Sequence, residues 1–523
     1  MDGATRAPRS GGAPGWRASR RCLDPCGIIC AGSRRSWVPA CAGSHTAHRG
    51  RSTWRLVGER EPLSPLDGRY RGLVEGLAND FSEARLHELR ARVEVRYLEA
   101  LVGRLAEEGL EAPLTEDERS ALEALASLSA EEVEEIRSLE GRTRHDVVAV
   151  VEFLRSRVPG RLRRYVHLGL TSEDDNNLAY SAMLEVLVKE HFAKEVARTA
   201  LKLSEISKRE ACSAILGRTH GQPAVPTTLG RELGVHAVRL ARLADTLVSY
   251  RPRGKLGGAV GTLAALRLAY PSIDWRRFAR EFVESLGFEY DEAVKQVLPH
   301  DRESIVLYES AAACNAAVDM AVDVWLYLTL GYLRLERFDE RQVGSSTMPQ
   351  KVNPVDLEGG EGMLRMASRE LEAMAGRLQE SRLQRDISDS SVKRLYGEVY
   401  GLAVAGLRRI EGALDRLRYE RESALEDLNR HWEVLGEALQ VILRSRGDEE
   451  GYERVRRMLQ GTVMGEEGFA AALRELHIDA LPLRPEAYLG YACEQAAHFS
   501  EEAERLAREV LSSRPLNSLA KRF

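Results

Sequence analysis

Residues 303–333 read ESIVLYESAAACNAAVDMAVDVWLYLTLGYL. The stretch contains no proline, and apolar or small side chains cover most of its circumference when it is wound at 3.6 residues per turn, including Ala311, Ala312, Ala313, Ala316 and Ala317. A helix that is apolar all round is buried by other helices. Working outward, no proline occurs between Pro159 and Pro223, between Pro299 and Pro349, or between Pro354 and Pro482. Proline breaks helix interiors, so these gaps permit long helices, and they are rich in Ala, Leu, Glu and Arg, the strong helix formers. In residues 176–188, Leu178, Met183, Leu184, Val186 and Leu187 make one broad stripe. Alternating β-branched segments are nearly missing, so the reading is all-α, with a long helix bundle whose core is shared between subunits.

The division is residues 1–60 as an extension, 61–160 as a first helical domain, 161–415 as the bundle and 416–523 as a smaller helical cap. Loops are expected at 217–228, 251–262 and 343–354. The extension holds eleven Arg against Asp2, Asp24 and Glu59, and it carries Cys22, Cys26, Cys30 and Cys41. An Arg- and Ser-rich, acid-poor leader reads either as a transit peptide or as a stretch upstream of the true start. Its cysteine spacing lacks a partner at a zinc-binding interval. Cys212, Cys314 and Cys493 are scattered through the body, which suggests a reducing, cytoplasmic setting without a disulfide framework. The net charge of −5 argues against a nucleic-acid partner. The most apolar run, 324–333, is ten residues and reads as buried core, not a membrane span.

Four segments carry chemistry. Gly344-Ser345-Ser346-Thr347-Met348-Pro349-Gln350-Lys351-Val352-Asn353-Pro354 is either a polar helix connection or an anion-binding lid. Hydroxyls, Lys351, Asn353 and loop N–H groups could surround a carboxylate whose charge grows in a transition state. Gly217-Arg218-Thr219-His220-Gly221-Gln222-Pro223 holds a histidine that is either a capped loop residue or a proton carrier. In Thr171-Ser172-Glu173-Asp174-Asp175-Asn176-Asn177 a hydroxyl caps a helix with carboxylates in its first turn, leaving N–H groups that can bind an anion. Thr143-Arg144-His145-Asp146-Val147 contains a His–Asp pair that is also compatible with surface decoration. The glycines at 254, 257, 258 and 261 lack the context of a phosphate loop and read as a turn.

Taken together, these segments resemble the fumarase/aspartase superfamily, whose signature loop G-S-S-x-M-P-x-K-x-N-P is matched by 344–354. Pro65-Leu66-Asp67-Gly68-Arg69-Tyr70, the segments around His145, Thr171 and His220, and Arg385-Asp386-Ile387-Ser388-Asp389-Ser390 resemble its adenylosuccinate lyase branch. The resemblance spans residues 62–400. It implies a three-domain α fold, a homotetramer on a twenty-helix core, active sites shared between subunits, and no metal or organic cofactor. The implied reaction is β-elimination of fumarate from succinylated purine nucleotides.

By position, Ser345 matches the base and His220 the general acid. His145, beside Arg144 and Asp146, matches a substrate-binding histidine. Ser346, Lys351, Val352, Asn353, Thr171 and Ser172 match groups around the succinyl carboxylates, and Gln296 a substrate-binding glutamine. Arg69, Tyr70, Arg385, Ser390 and Arg394 match nucleotide and phosphate contacts, for which forked guanidinium donors suit. The sequence departs from that branch at Gln350 (usually His), Gly359 (Asn) and Arg144 (Asn), which puts fine substrate contacts in question rather than the reaction. Fumarase, aspartase and argininosuccinate lyase are the nearest rivals; a silent helical scaffold is the alternative of another class.

Overall fold

The computed structural model describes residues 62–337, 346–478 and 484–513. The 1–60 extension with its four cysteines, and Ser345 with the start of its loop, lie outside the described residues. Long helices dominate the rest. In chain order they are α1 (Glu83–Glu107), α2 (Asp146–Arg157), α3 (Ser172–Val186), α4 (Ala193–Arg209), α5 (Leu229–Val248), α6 (Asp301–Thr329), α7 (Val355–Leu378), α8 (Tyr396–Leu414) and α9 (Ala492–Ser512).

Local chemistry sets their starts. Ser82 Oγ accepts from Arg85 N at 3.2 Å and begins α1. Thr171 begins α3, with its own N–H donating to Asp174 Oδ2 at 2.9 Å, and Thr228 Oγ1 accepts from Arg231 N at 3.1 Å to begin α5. These side chains satisfy backbone groups that have no partner inside a helix. A single π-type turn, Leu187–Phe192, joins α3 to α4, so helical backbone runs on past the stripe read at 176–188.

The bundle is built from α4, α5, α6, α7 and α8, and α9 returns from the end of the chain to lie on α4 and α5. The alanines of α6 at 311, 313, 316, 317 and 321 are buried, which lets neighbouring backbones approach. α7 and α8 are closest where Gly360 faces Gly406: a Cβ on Gly360 would stand 2.6 Å from Ile410 Cγ1 and 2.7 Å from Gly406 O. Gly360→Ala gains helix propensity but overpacks this crossing. We expect it to destabilise the protein by about 1–3 kcal/mol, seen as a lower urea midpoint at unchanged m-value. Residues 432–478 hold a separate apolar cluster around Trp432, Leu439, Val455 and Phe469.

The structure corrects the sequence reading in three places. First, 217–228 is not a loop but part of an antiparallel hairpin, β1 (Ala214–Thr219) with β2 (Gln222–Thr228). Arg253–Gly254 pairs with Glu289–Tyr290, and Leu333–Leu335 with Leu417–Tyr419. Pro223 and Pro226 rule out a helix across the hairpin, but strands this short leave little alternation to read. Second, Cys212 and Cys493 form a disulfide, with Cα atoms 4.9 Å apart. A separation of 281 residues hid a spatial proximity that α9 creates by folding back. Third, α6 is 29 residues long, and its most apolar 18-residue window has mean hydropathy 1.3, enough to cross a bilayer by length and composition. Of that window 61% is buried inside the protein, as in a core helix.

Candidate active site

The α1–α2–α3 corner brings together residues far apart in sequence. His145 precedes α2, and its Nδ1 accepts from Val148 N at 3.4 Å. With Nδ1 accepting, Nε2 is the ring nitrogen left to donate, and the ring is exposed. The next residue, Asp146, accepts from Arg90 Nη2 and from Arg394 Nη2, both at 2.7 Å. Arg90 is fully buried and also donates to Asn176 Oδ1 at 2.9 Å. Burial alone would raise the Asp146 carboxyl, but the Arg90 guanidinium outweighs it and holds the group at about 2. The unfolded value is higher, so the stabilisation is complete above about pH 4 and is lost as pH falls through about 2. We therefore expect Asp146→Asn to be less stable than wild type at neutral pH, with the gap in urea midpoint closing between pH 4 and 2.

A second group forms at the start of α3. Asp174 Oδ1 accepts from Lys255 Nζ at 2.7 Å and Gly257 N at 2.8 Å, and its Oδ2 from Gly258 N at 3.0 Å. Both Lys255 and Asp174 are wholly buried. Glu173 is ion-paired with Arg385 at 2.8 Å and accepts a hydrogen bond from Lys393 Nζ at 2.9 Å. Lys393 also meets Asp389 at 2.8 Å. Burial would raise the Asp389 carboxyl, but the His300 ring 3.6 Å away and the Lys393 charge hold it well below the usual range. Arg385 is thus fixed beside the Thr171–Ser172 turn, and Ser390 lies on the short helix Ser388–Lys393.

The other sequence-derived residues stand apart from these two groups. His220 is exposed at the tip of the hairpin with φ +54°, followed by Gly221 at +73°, the two-residue turn that matches strand twist. The hairpin is anchored by Arg218 Nη2 donating to Asp427 Oδ2 at 2.7 Å. Gln296 Nε2 donates to Ala259 O at 2.7 Å. Ser346 and Lys351 are exposed on the signature loop, with Val352 and Asn353 half-buried. Arg69 and Tyr70 line a cavity of about 320 Å³ with Leu73, Asp356, Arg408 and Arg409. Arg144 ends the helix before α2 in a left-handed conformation, φ +53°. A Cβ on Gly359 would lie 2.2 Å from Arg409 Nη1, so the glycine leaves its space to that guanidinium.

Sequence reasoning missed Arg90, Lys255, Lys393 and His300. Arg90 stands among Glu88, Arg92 and Glu94 in the sequence, so nothing local marked it as the buried member of that charged run. Two groups offer three ligand-type atoms within 4.8 Å, Glu94–His167–Asp175 and Glu173–His300–Asp389. In the second, the Lys393 ammonium already stands where a cation would.

The lyase family pattern matches residues 68–368, and the adenylosuccinate lyase C-terminal pattern matches 381–484. The chain is 33% identical over 449 residues to adenylosuccinate lyase of Legionella pneumophila strain Corby, covering 84% of this chain and 98% of that one. It is 35% identical over 413 residues to the Escherichia coli K12 adenylosuccinate lyase, covering 78% and 90%. The chain belongs to the adenylosuccinate lyase family.

Among solved structures it resembles a fumarate lyase from Mesorhizobium sp. BNC1 (TM-score 0.62, 19% identity, 83% of this chain and 97% of that one). A 3-carboxy-cis,cis-muconate lactonizing enzyme from Pseudomonas putida is similar at TM-score 0.62 and 22% identity, covering 82% and 97%. The helical lyase fold that the resemblance implies is therefore the fold of the single chain. The lyase pattern and the adenylosuccinate lyase C-terminal pattern together cover both of the groups above.

Proposed function

We propose that this lyase eliminates fumarate from adenylosuccinate, giving AMP, and from succinylaminoimidazole carboxamide ribotide in purine biosynthesis. The observation that carries the reading is the placement of Arg385 beside the Thr171–Ser172 turn, with Arg394 beside His145: two cationic, hydrogen-bonding positions suited to a substrate with carboxylates and a phosphate. Ser345, the base by resemblance, removes the proton from the succinyl Cβ. The electron pair forms the new C=C bond as the C–N bond breaks. His220 donates a proton to the leaving nitrogen, and His145, with Nε2–H outward, holds the substrate. Charge that builds on the carboxylate is met by Lys351, Asn353, Ser346 and the Thr171–Ser172 turn. No metal or organic cofactor takes part in this scheme.

We further propose a homotetramer with active sites shared between chains. Ile305 and Tyr308 near the start of α6, and Leu326 and Leu330 at its end, are exposed apolar side chains in the single chain. His220 and Lys351 make no ion pair with the two groups above among the described residues, as expected if they serve a neighbouring chain's site. The substrate's charges keep it from crossing a bilayer unaided, so the cytoplasm, where the nucleotide is made, is the compartment we assign. Offering the protein adenylosuccinate, argininosuccinate, malate and aspartate tests the reading. Fumarate from adenylosuccinate alone supports it, and fumarate from one of the other three alone overturns it.

A further inference from the structure

Glu94 on α1 and Asp175 on α3 are both fully buried, and with His167 they bring three polar groups within 4.8 Å of one another. His167 lies in the turn that leads to Thr171 and has φ +61°, a left-handed conformation that a non-glycine residue holds only when its surroundings enforce it. Glu94 supplies that enforcement. Its Oε2 accepts from His167 N at 3.1 Å, and its Oε1 is hydrogen-bonded to His167 Nδ1. Tyr97, one turn further along α1, donates to Leu168 O at 2.6 Å. Asp175 faces the same spot, its Oδ2 at 3.6 Å from His167 Nδ1, yet neither of its oxygens receives a hydrogen bond.

Two carboxylates buried within 4.8 Å of each other resist ionising together, and a proton shared between them resolves the conflict. We propose that Glu94 and Asp175 share one proton and together position His167 and the Thr171–Ser172 turn for the substrate. The inference rests on the reading of that turn as a carboxylate contact.

Apart from the His167 ring, the charged groups around the pair are engaged elsewhere. On α3, Asp174 is engaged by Lys255 and two backbone N–H groups. On α2, Arg155 donates to Val166 O at 3.3 Å instead of to the pair. Tyr97 is bound to Leu168 O. His167 Nδ1 touches Glu94 Oε1 directly, so a proton fits between the three groups and a metal ion does not. Burial raises both carboxyls, Glu94 to about 7. When the shared proton leaves at alkaline pH, the second buried charge repels Glu94 and adds negative potential behind the anion-binding turn. Substrate affinity then falls while the reacting groups stay in place.

The test is the pH dependence of KM, from pH 7 to 9.5, for the full-length protein, Asp175→Asn and Ser172→Ala. The carboxamide of Asn presents an N–H to Glu94 as the shared proton does, but it has none to lose. For wild type, each pH unit above the pair's ionisation lowers the protonated fraction about tenfold, so log KM climbs with a slope approaching one. We expect that climb to vanish in Asp175→Asn, with kcat little changed. An equal climb in folded Asp175→Asn overturns the proposal. If Ser172→Ala leaves KM unchanged at every pH, the underlying reading of the turn fails instead; if it raises KM, that reading stands whatever Asp175→Asn shows. Should Asp175→Asn not fold, infrared spectra of the wild type and Glu94→Gln decide. A protonated buried carboxyl band at pH 7 that Glu94→Gln alters supports the shared proton, and its absence in the wild type overturns it.

Discussion

Replacing His220 with asparagine lowers kcat by about 10²–10⁴-fold, the range for a general acid, and changes stability by less than about 0.5 kcal/mol, as surface substitutions do. Asparagine is the right replacement because position 220 has φ +54°, a conformation that Asn adopts readily and alanine does not. The His220 ring is exposed in the single chain, so a large loss of rate in a folded protein separates chemistry from structure. Ser345→Ala should show the same pattern. Mixing the two inactive proteins under conditions of subunit exchange should then restore part of the activity, because some sites receive His220 from a Ser345→Ala chain and Ser345 from a His220→Asn chain. A folded His220→Asn protein with near-normal kcat removes His220 as the acid. Verified exchange without recovery argues against shared sites.

Asp174→Ala is the substitution with the largest expected effect on stability. The carboxylate takes four hydrogen bonds, from Lys255 Nζ, Gly257 N, Gly258 N and Thr171 N. Removing it strands the Lys255 ammonium in a fully buried position, and breaking a buried pair on one side costs about 3–5 kcal/mol. That is a large part of the stability of an ordinary domain, so the variant should melt at a much lower temperature or be recovered unfolded. Lys255→Met in the same chain removes the stranded charge and should return part of the loss, a coupling that a double-mutant cycle measures. A single variant within about 1 kcal/mol of wild type would mean that the pair is not buried as described.

The helical fold was legible because proline-free, alanine-rich stretches constrain the backbone wherever they occur, and α6 lies where 303–333 placed it. The cap at Thr171 was legible for the same local reason, a hydroxyl followed by carboxylates in the first turn. What the sequence could not show is pairing across distance. Asp174 meets Lys255 from 81 residues away and Glu173 meets Lys393 from 220, and neither spacing has a periodicity to detect. The Cys212–Cys493 disulfide escaped for that reason, since it depends on α9 folding back. The hairpin around His220 escaped for another: its prolines and glycines read as a loop, and only backbone pairing reveals the strands.

The most direct measurement is product analysis after adding adenylosuccinate to the purified protein, with Ser345→Ala as the blank. The account predicts AMP and fumarate in equal amounts from the wild type and neither from the variant. Folded, tetrameric wild-type protein that releases neither product would contradict it.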